Sequence, residues 1–246
     1  MNCKNCGDAL GGKFCSACGQ SAQVSRINFP NFIHEVTEGV FQVNRGFFFT
    51  LRELFLRPGN TLNEFLEGKR KNHFKPVAYV LTWSTLYFLI AQITNQTTWM
   101  DDVITGWMNG ATEHSKSEQL PKSIIWLSKN YAYATLFLLP VFSLSTYLAF
   151  WRFGKNYFEH LVINCYITGQ QAIIYCLFAI LYALVHHFTI ESISFFASIT
   201  YFFWVFWQLF SNGSRLKNIL RSLLTHFLYL LFVSLLLLIL LVISRL

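Results

Sequence analysis

Five long apolar runs fill most of the chain beyond position 76 and limit it to one kind of fold. They lie at about Val77–Thr94, Tyr131–Trp151, Leu161–Phe188, Ile193–Phe210 and Leu223–Ser244. Each is near or above the roughly 18–20 apolar residues that cross about 30 Å of hydrocarbon. Backbone in lipid must satisfy its own hydrogen bonds, so these runs are expected to be helices. Of 246 residues 54% are hydrophobic and 13% charged, where a soluble domain carries about 25% charged residues. The sequence predicts an all-α integral membrane protein with five transmembrane helices. The third run is long enough to tilt or to stand out of the hydrocarbon at its ends, and Pro140 should kink the second.

The head of the chain is of another kind. Cys3-Lys-Asn-Cys6-Gly7 and Cys15-Ser-Ala-Cys18-Gly19 form two C-x-x-C-G knuckles eight residues apart. Residues 1–20 hold almost no core, with Leu10 and Phe14 the candidates, so burial alone cannot fold them and a metal can. The expected ligands are Cys3, Cys6, Cys15 and Cys18 around one structural Zn2+, in a small zinc ribbon. Four thiolates at about 2.3 Å close a tetrahedral ion and leave no open position for substrate. A disulfide reading of the same cysteines is the weaker alternative, because zinc thiolates suit a reducing compartment. Cys165 and Cys176 lie about three turns apart on one helix, so they cannot bridge each other and read as buried thiols.

Between head and spans, residues 21–28 read as a polar linker and 29–76 as an amphipathic, basic interfacial region. Phe29, Phe32, Ile33, Val36, Val40 and Phe41 recur at helical spacing. A second amphipathic piece runs from about Phe47 to Leu56. Arg57-Pro58-Gly59 reads as a turn, and Asn60 or Thr61 as the cap of a third short helix. Lys69, Arg70, Lys71 and Lys75 form a cationic stretch suited to anionic headgroups. Two readings stay open for this region: helices lying at the bilayer boundary, or a helical subdomain packed on the bundle.

Orientation follows from the basic residues. Lys69–Lys75 precede the first span, Arg152 and Lys155 separate the second from the third, and Arg215, Lys217 and Arg221 separate the fourth from the fifth. The opposite side has the mixed-charge loop 95–130 and Glu191. Arg245 at the end of the chain is the exception. The N-terminus is expected in the cytoplasm, the C-terminus outside, and residues 77–246 in the membrane domain.

Catalytic signals are missing. No Asp, Glu, Lys or Arg lies deep in any run. No nucleophile elbow, P-loop or dinucleotide fingerprint occurs. His34-Glu35-Val36-Thr37-Glu38 lacks the second histidine of a zincin motif. His186, His187 and His226 read as boundary or core histidines, and Asp101-Asp102 as part of an outer interfacial helix with Trp99, Val103 and Trp107. The third run carries a polar arc: His160, Asn164, Thr168, Gln171, Tyr175 and Tyr182 fall within about 80° at 100° per residue. Glu159 stands at its mouth. Either the arc lines a polar cavity (Glu159, His160, Asn164, Thr168, Gln171, Tyr175), or it joins helices by hydrogen bonds.

The head, followed by Gly46-Phe-Phe-Phe-Thr50-Leu51-Arg52-Glu53-Leu54, Arg57-Pro58-Gly59, Gly68-Lys69-Arg70-Lys71 and Pro76, resembles an uncharacterised bacterial membrane family, domain of unknown function 3667. The resemblance covers the N-terminal third by motif and the rest by architecture. It implies a bacterial inner-membrane protein with a cytosolic zinc ribbon and no assigned activity. The expected function is non-enzymatic: ribbon and basic collar recruit or sense a protein partner at the membrane. The alternative is a lipid- or small-solute-handling, permease-like protein using the third-span polar face. Anionic lipid is the expected surface partner. Nucleic acid is not, since the ribbon has only Lys4 and Lys13. The oligomeric state stays open.

Overall fold

The computed structural model describes residues 1–33, 46–98, 101–102, 105–106, 126, 130–187, 189–211 and 213–243. The zincin-like stretch 34–38, most of the loop 95–130 with Trp99, Val103 and Trp107, and Arg245 lie outside the described residues. Among the described residues, helical residues 29–33 and two short helices, α1 (Gly46–Leu56) and α2 (Pro58–Glu67), precede five long ones. These are α3 (Pro76–Ile93), α4 (Tyr131–Phe150), α5 (Tyr157–Val185), α6 (Thr189–Leu209) and α7 (Arg215–Ile243). A 3-10 turn, Trp151–Phe153, follows α4. All five long helices are long and apolar enough to cross a membrane. Among the described residues there are no strands, only the isolated bridges Asn2–Ala9 and Phe14–Ser21 in the head.

The helix starts differ from the hydropathy runs where polar residues begin them. Helix α5 starts a turn before Leu161, because the Asn156 side chain accepts from the Glu159 N–H while Glu159 accepts from the Asn156 N–H. That reciprocal pair satisfies two donors otherwise left orphaned at a helix start. Helix α7 takes in Arg215, Lys217 and Arg221 before its apolar run. Arg57-Pro58-Gly59 is not an extended turn. Only Arg57 separates α1 from α2, and Pro58 opens α2, where its missing N–H costs nothing. Asn60 and Thr61 therefore lie inside α2 rather than capping it, and the Thr61 hydroxyl donates to the Arg57 carbonyl at 2.9 Å.

Helix α5 is the central element: α3, α4, α6 and α1 all pack on it. Tyr79, Phe150, Val162, Ile163, Tyr166, Phe202 and Phe206 form the main core. Gly169 lets α3 approach, since a Cβ there would stand 2.5 Å from the Tyr79 ring. Helix α7 packs on α4 and α6 and leaves a leucine-rich face outward, as a lipid-facing helix should.

The collar, α1, α2 and the loop 68–75, is a subdomain fastened to the bundle. The Tyr201 hydroxyl donates to the Leu54 carbonyl (3.0 Å) and the Tyr166 hydroxyl to that of Phe74 (2.6 Å). The Gln208 side chain accepts from the Gly59 N–H (3.1 Å), and Asn63 donates to the Leu209 carbonyl (3.2 Å). Phe48 and Leu56 stay exposed on α1, so the packed collar still offers apolar side chains to a bilayer boundary.

Candidate metal centre and its contact with the collar

The head folds as one hydrogen-bonding pattern used twice, twelve positions apart. Gly7 N–H donates to the Cys3 carbonyl (2.9 Å), Cys3 N–H to Asp8 (2.8 Å) and Leu10 N–H to Met1 (2.9 Å). The second unit repeats this with Gly19 to Cys15 (2.8 Å), Cys15 to Gln20 (2.8 Å) and Ala22 to Lys13 (2.9 Å). Gly7 (φ 86°) and Gly19 (φ 71°) both sit in the left-handed region, which a side chain would disfavour. Leu10 is half-buried, but Phe14 is 65% exposed. The expected Phe14 core is therefore absent, and the centre of the head is sulfur.

All four thiol sulfurs lie within 4.8 Å of one another. Cys3 and Cys18 are 3.6 Å apart and Cys6 and Cys15 3.5 Å apart. A tetrahedron with metal–sulfur bonds of about 2.3 Å has edges of about 3.8 Å, so the set fits one thiolate-bound ion. The cysteines are free thiols, not disulfides. The Cys3 thiol is lowered to about 7, first by the Cys6 backbone N–H and further by Asn5 and Cys18. The Asp8 backbone N–H acts to lower Cys6 too, but desolvation and the crowding thiols of Cys15, Cys18 and Cys3 push it up to about 12.

The head does not hang free. Gln20, the residue after the second knuckle, is 4% exposed and uses both ends of its amide on the basic loop. Its Nε2 donates to the Gly68 carbonyl (2.9 Å), and its Oε1 accepts from the Arg70 and Lys71 N–H groups (3.0 and 3.1 Å). Gly68 can serve here because it ends α2 in the left-handed region at φ 117°. Residues 21–28 are likewise no free linker. Ile27 is buried in the main core, Asn156 donates to its carbonyl (2.8 Å), and Arg26 pairs with Glu159.

The cationic stretch divides. Lys71 is exposed beside Gly19, while Lys69 stands 3.8 Å from Glu64. Arg70 is a strut: it donates to the Phe65 and Ser25 carbonyls (3.3 and 3.1 Å) and lies over the Phe65 ring. A second ionic set missed by sequence reasoning, Glu53–Arg57–Glu64, ties α1 to α2. Arg57 binds Glu53 and, at 2.9 Å, Glu64, and these hydrogen bonds raise its guanidinium above the usual arginine range.

The polar arc of α5 is spent in three places. Asn164 donates to Ser143 (3.2 Å) and Thr146 (2.8 Å) on α4, and His160 Nδ1 lies 3.2 Å from the Thr146 hydroxyl. Gln171 donates to the Ser198 carbonyl of α6 (3.2 Å). Thr168 is half-buried. Tyr175 lies apart, in a cavity at the end of the bundle away from the head. Of Glu159, His160, Asn164, Thr168, Gln171 and Tyr175, Tyr175 alone lines that cavity. Glu159 is taken by Arg26 and Asn156, and Asn164 and Gln171 join helices.

No curated protein and no solved structure matches the chain. Residues 44–88 match the family described as Protein of unknown function (DUF3667). That segment covers α1, α2, the basic loop and most of α3. With its five apolar helices and its four-cysteine head, the chain is a polytopic membrane protein that is similar to this uncharacterised family over residues 44–88.

Proposed function

We propose that the chain is a non-enzymatic, multi-pass protein of a bacterial inner membrane. Its zinc-loaded head and basic collar form one cytosolic platform that recruits or senses a protein partner at the membrane surface. The observation that carries this reading is Gln20, which makes the second knuckle and the loop 68–71 a single surface. Zinc is the ion assigned, because a closed four-thiolate set suits a structural tetrahedral site with no position for substrate. Lys71 and anionic headgroups would hold that surface close to the bilayer.

The orientation has support in the fold. The head touches the loop 68–71, Arg26 reaches Glu159, and Lys155 donates to Asn63 (2.8 Å). The α4–α5 connection with Arg152 and Lys155 is therefore at the end of the bundle that bears the head, and so is the start of α7 with Arg215 and Lys217, because Gln208 and Leu209 just before it bond Gly59 and Asn63 of the collar. Asp102 and Glu191 share the cavity at the other end. Basic loops mark the cytoplasmic side. The permease-like alternative has less support, since Asn164 and Gln171 bond to neighbouring helices.

Native mass spectrometry of the full chain, released in mild detergent with metal read in parallel, tests the platform. One zinc per chain, and a bound protein whose yield drops in Gln20→Ala and Lys71→Glu, is the expected result. A metal-free chain, a protein yield indifferent to both variants, or turnover of a lipid by the isolated chain would overturn it.

A further inference from the structure

At the end of the bundle away from the head, α3, α5 and α6 part around a cavity of about 400 Å³. Its size falls within the roughly 300–1,000 Å³ of small-ligand sites. Aromatic side chains make its walls. Tyr87 and Tyr175 meet at 5.4 Å between ring centroids with a 31° tilt, and Phe178 and Phe195 stand beside them. Two carboxylates from separate segments, Asp102 and Glu191, complete the lining, which among the described residues includes no Lys, Arg or His. Asp102 is oriented by the Thr97 hydroxyl at 2.8 Å, and Glu191 sits in the first turn of α6. In a chain of net charge +7, this cavity has the opposite formal charge.

Aromatic faces and carboxylates together select one chemistry. An ammonium group is attracted by the ring faces and by the acids, and carbon attached to it is desolvated by the same rings. A carboxylate or phosphate would meet like charge, with no donor cation among the described lining residues. We propose that this cavity binds an organic ammonium group, carried either by a phospholipid headgroup or by a small free amine. The site lies away from the cysteine head and does not depend on it. Phe196 and Ile193, both exposed on α6, flank the region and would adjoin acyl chains if a lipid is the source.

The full chain in nanodiscs tests this. In discs of mixed phosphatidylethanolamine and phosphatidylglycerol, native mass spectrometry should find the ethanolamine lipid retained in excess over its share. A soluble probe, β-phenylethylamine, is titrated in discs of phosphatidylglycerol alone, with β-phenylethanol as its uncharged counterpart. The amine should bind and the alcohol should not. The double variant Asp102→Asn, Glu191→Gln should bind the charged ligand about tenfold more weakly, equivalent to about 1.4 kcal/mol. Lipid enrichment without amine binding assigns the site to a headgroup, and the reverse assigns it to a free amine. Equal binding of amine and alcohol by the unaltered chain, or neither enrichment nor amine binding, overturns the proposal without reference to any variant.

Discussion

Arg26 grips Glu159 with two parallel hydrogen bonds, Nε to Oε1 and Nη2 to Oε2, each 2.8 Å, across 133 positions of sequence. The same Nη2 donates to the Gly154 carbonyl at 2.6 Å. Glu159 also closes the reciprocal cap with Asn156, so one carboxylate starts a helix and anchors the segment leading from the head. The hydrogen bonds and charge of Glu159 hold the Arg26 guanidinium above the usual arginine range.

Arg26→Ala would leave a carboxylate whose side chain is 7% exposed with the Asn156 N–H but without its cation, while the arginine it loses is itself 60% exposed. The expected cost is about 1–2 kcal/mol, less than for a fully buried pair because solvent screens the arginine. Hydrogen exchange at 21–33 and in the first turn of α5 should rise together. Unchanged protection at both places would mean that Ile27 alone holds this segment.

Gly59 explains a motif that sequence reasoning read as a turn. A Cβ at this position would stand 2.3 Å from the Gln208 Cβ and 2.4 Å from the Leu209 backbone nitrogen. Backbone cannot yield as a side-chain tip can. Gly59→Ala should therefore push α2 off the end of α6 and lower stability by about 1–3 kcal/mol. Gly11→Ala, which meets nothing within 4 Å, serves as the control. Thermal unfolding in detergent should separate the two variants, and equal midpoints would show that α2 rides loosely on α6.

Much of this architecture is legible in the sequence because its two strongest signals are local. Run length reports a helix that crosses a bilayer, and C-x-x-C spacing reports sulfurs that reach one ion. What is not legible depends on distant partners. Gln20 has an ordinary side chain until the loop 68–71 presents two N–H groups and a carbonyl to it. The polar arc of α5 is visible as periodicity, but Ser143 and Thr146, which decide its use, lie on another helix. Hydropathy also starts α5 too late, because it weighs Glu159 as a polar residue and cannot see it as a cap. Arg70 reads as a free cation until the Phe65 and Ser25 carbonyls are placed beside it.

His73 should make the collar sensitive to pH. Its ring lies edge-on between Phe49 and Phe65, with centroids at 5.3 and 5.6 Å, and both ring nitrogens are shut off from water. Burial lowers its proton affinity below the usual histidine range, outweighing the Lys69 backbone and the Glu64 and Glu53 charges that act to raise it. An opened collar returns the ring to a pKa of about 6.5 and so binds more protons than the closed one in mild acid. The stabilisation is thus complete above about pH 6.5 and falls as pH drops below it. Between pH 7.5 and 5.5 the opening equilibrium of the loop 68–75 should rise by up to about tenfold. Hydrogen exchange, corrected for its intrinsic pH dependence, measures this directly. His73→Phe keeps an aromatic ring between Phe49 and Phe65 and removes the proton, so it should flatten the response. A variant as pH-sensitive as the parent would shift the titration to another group.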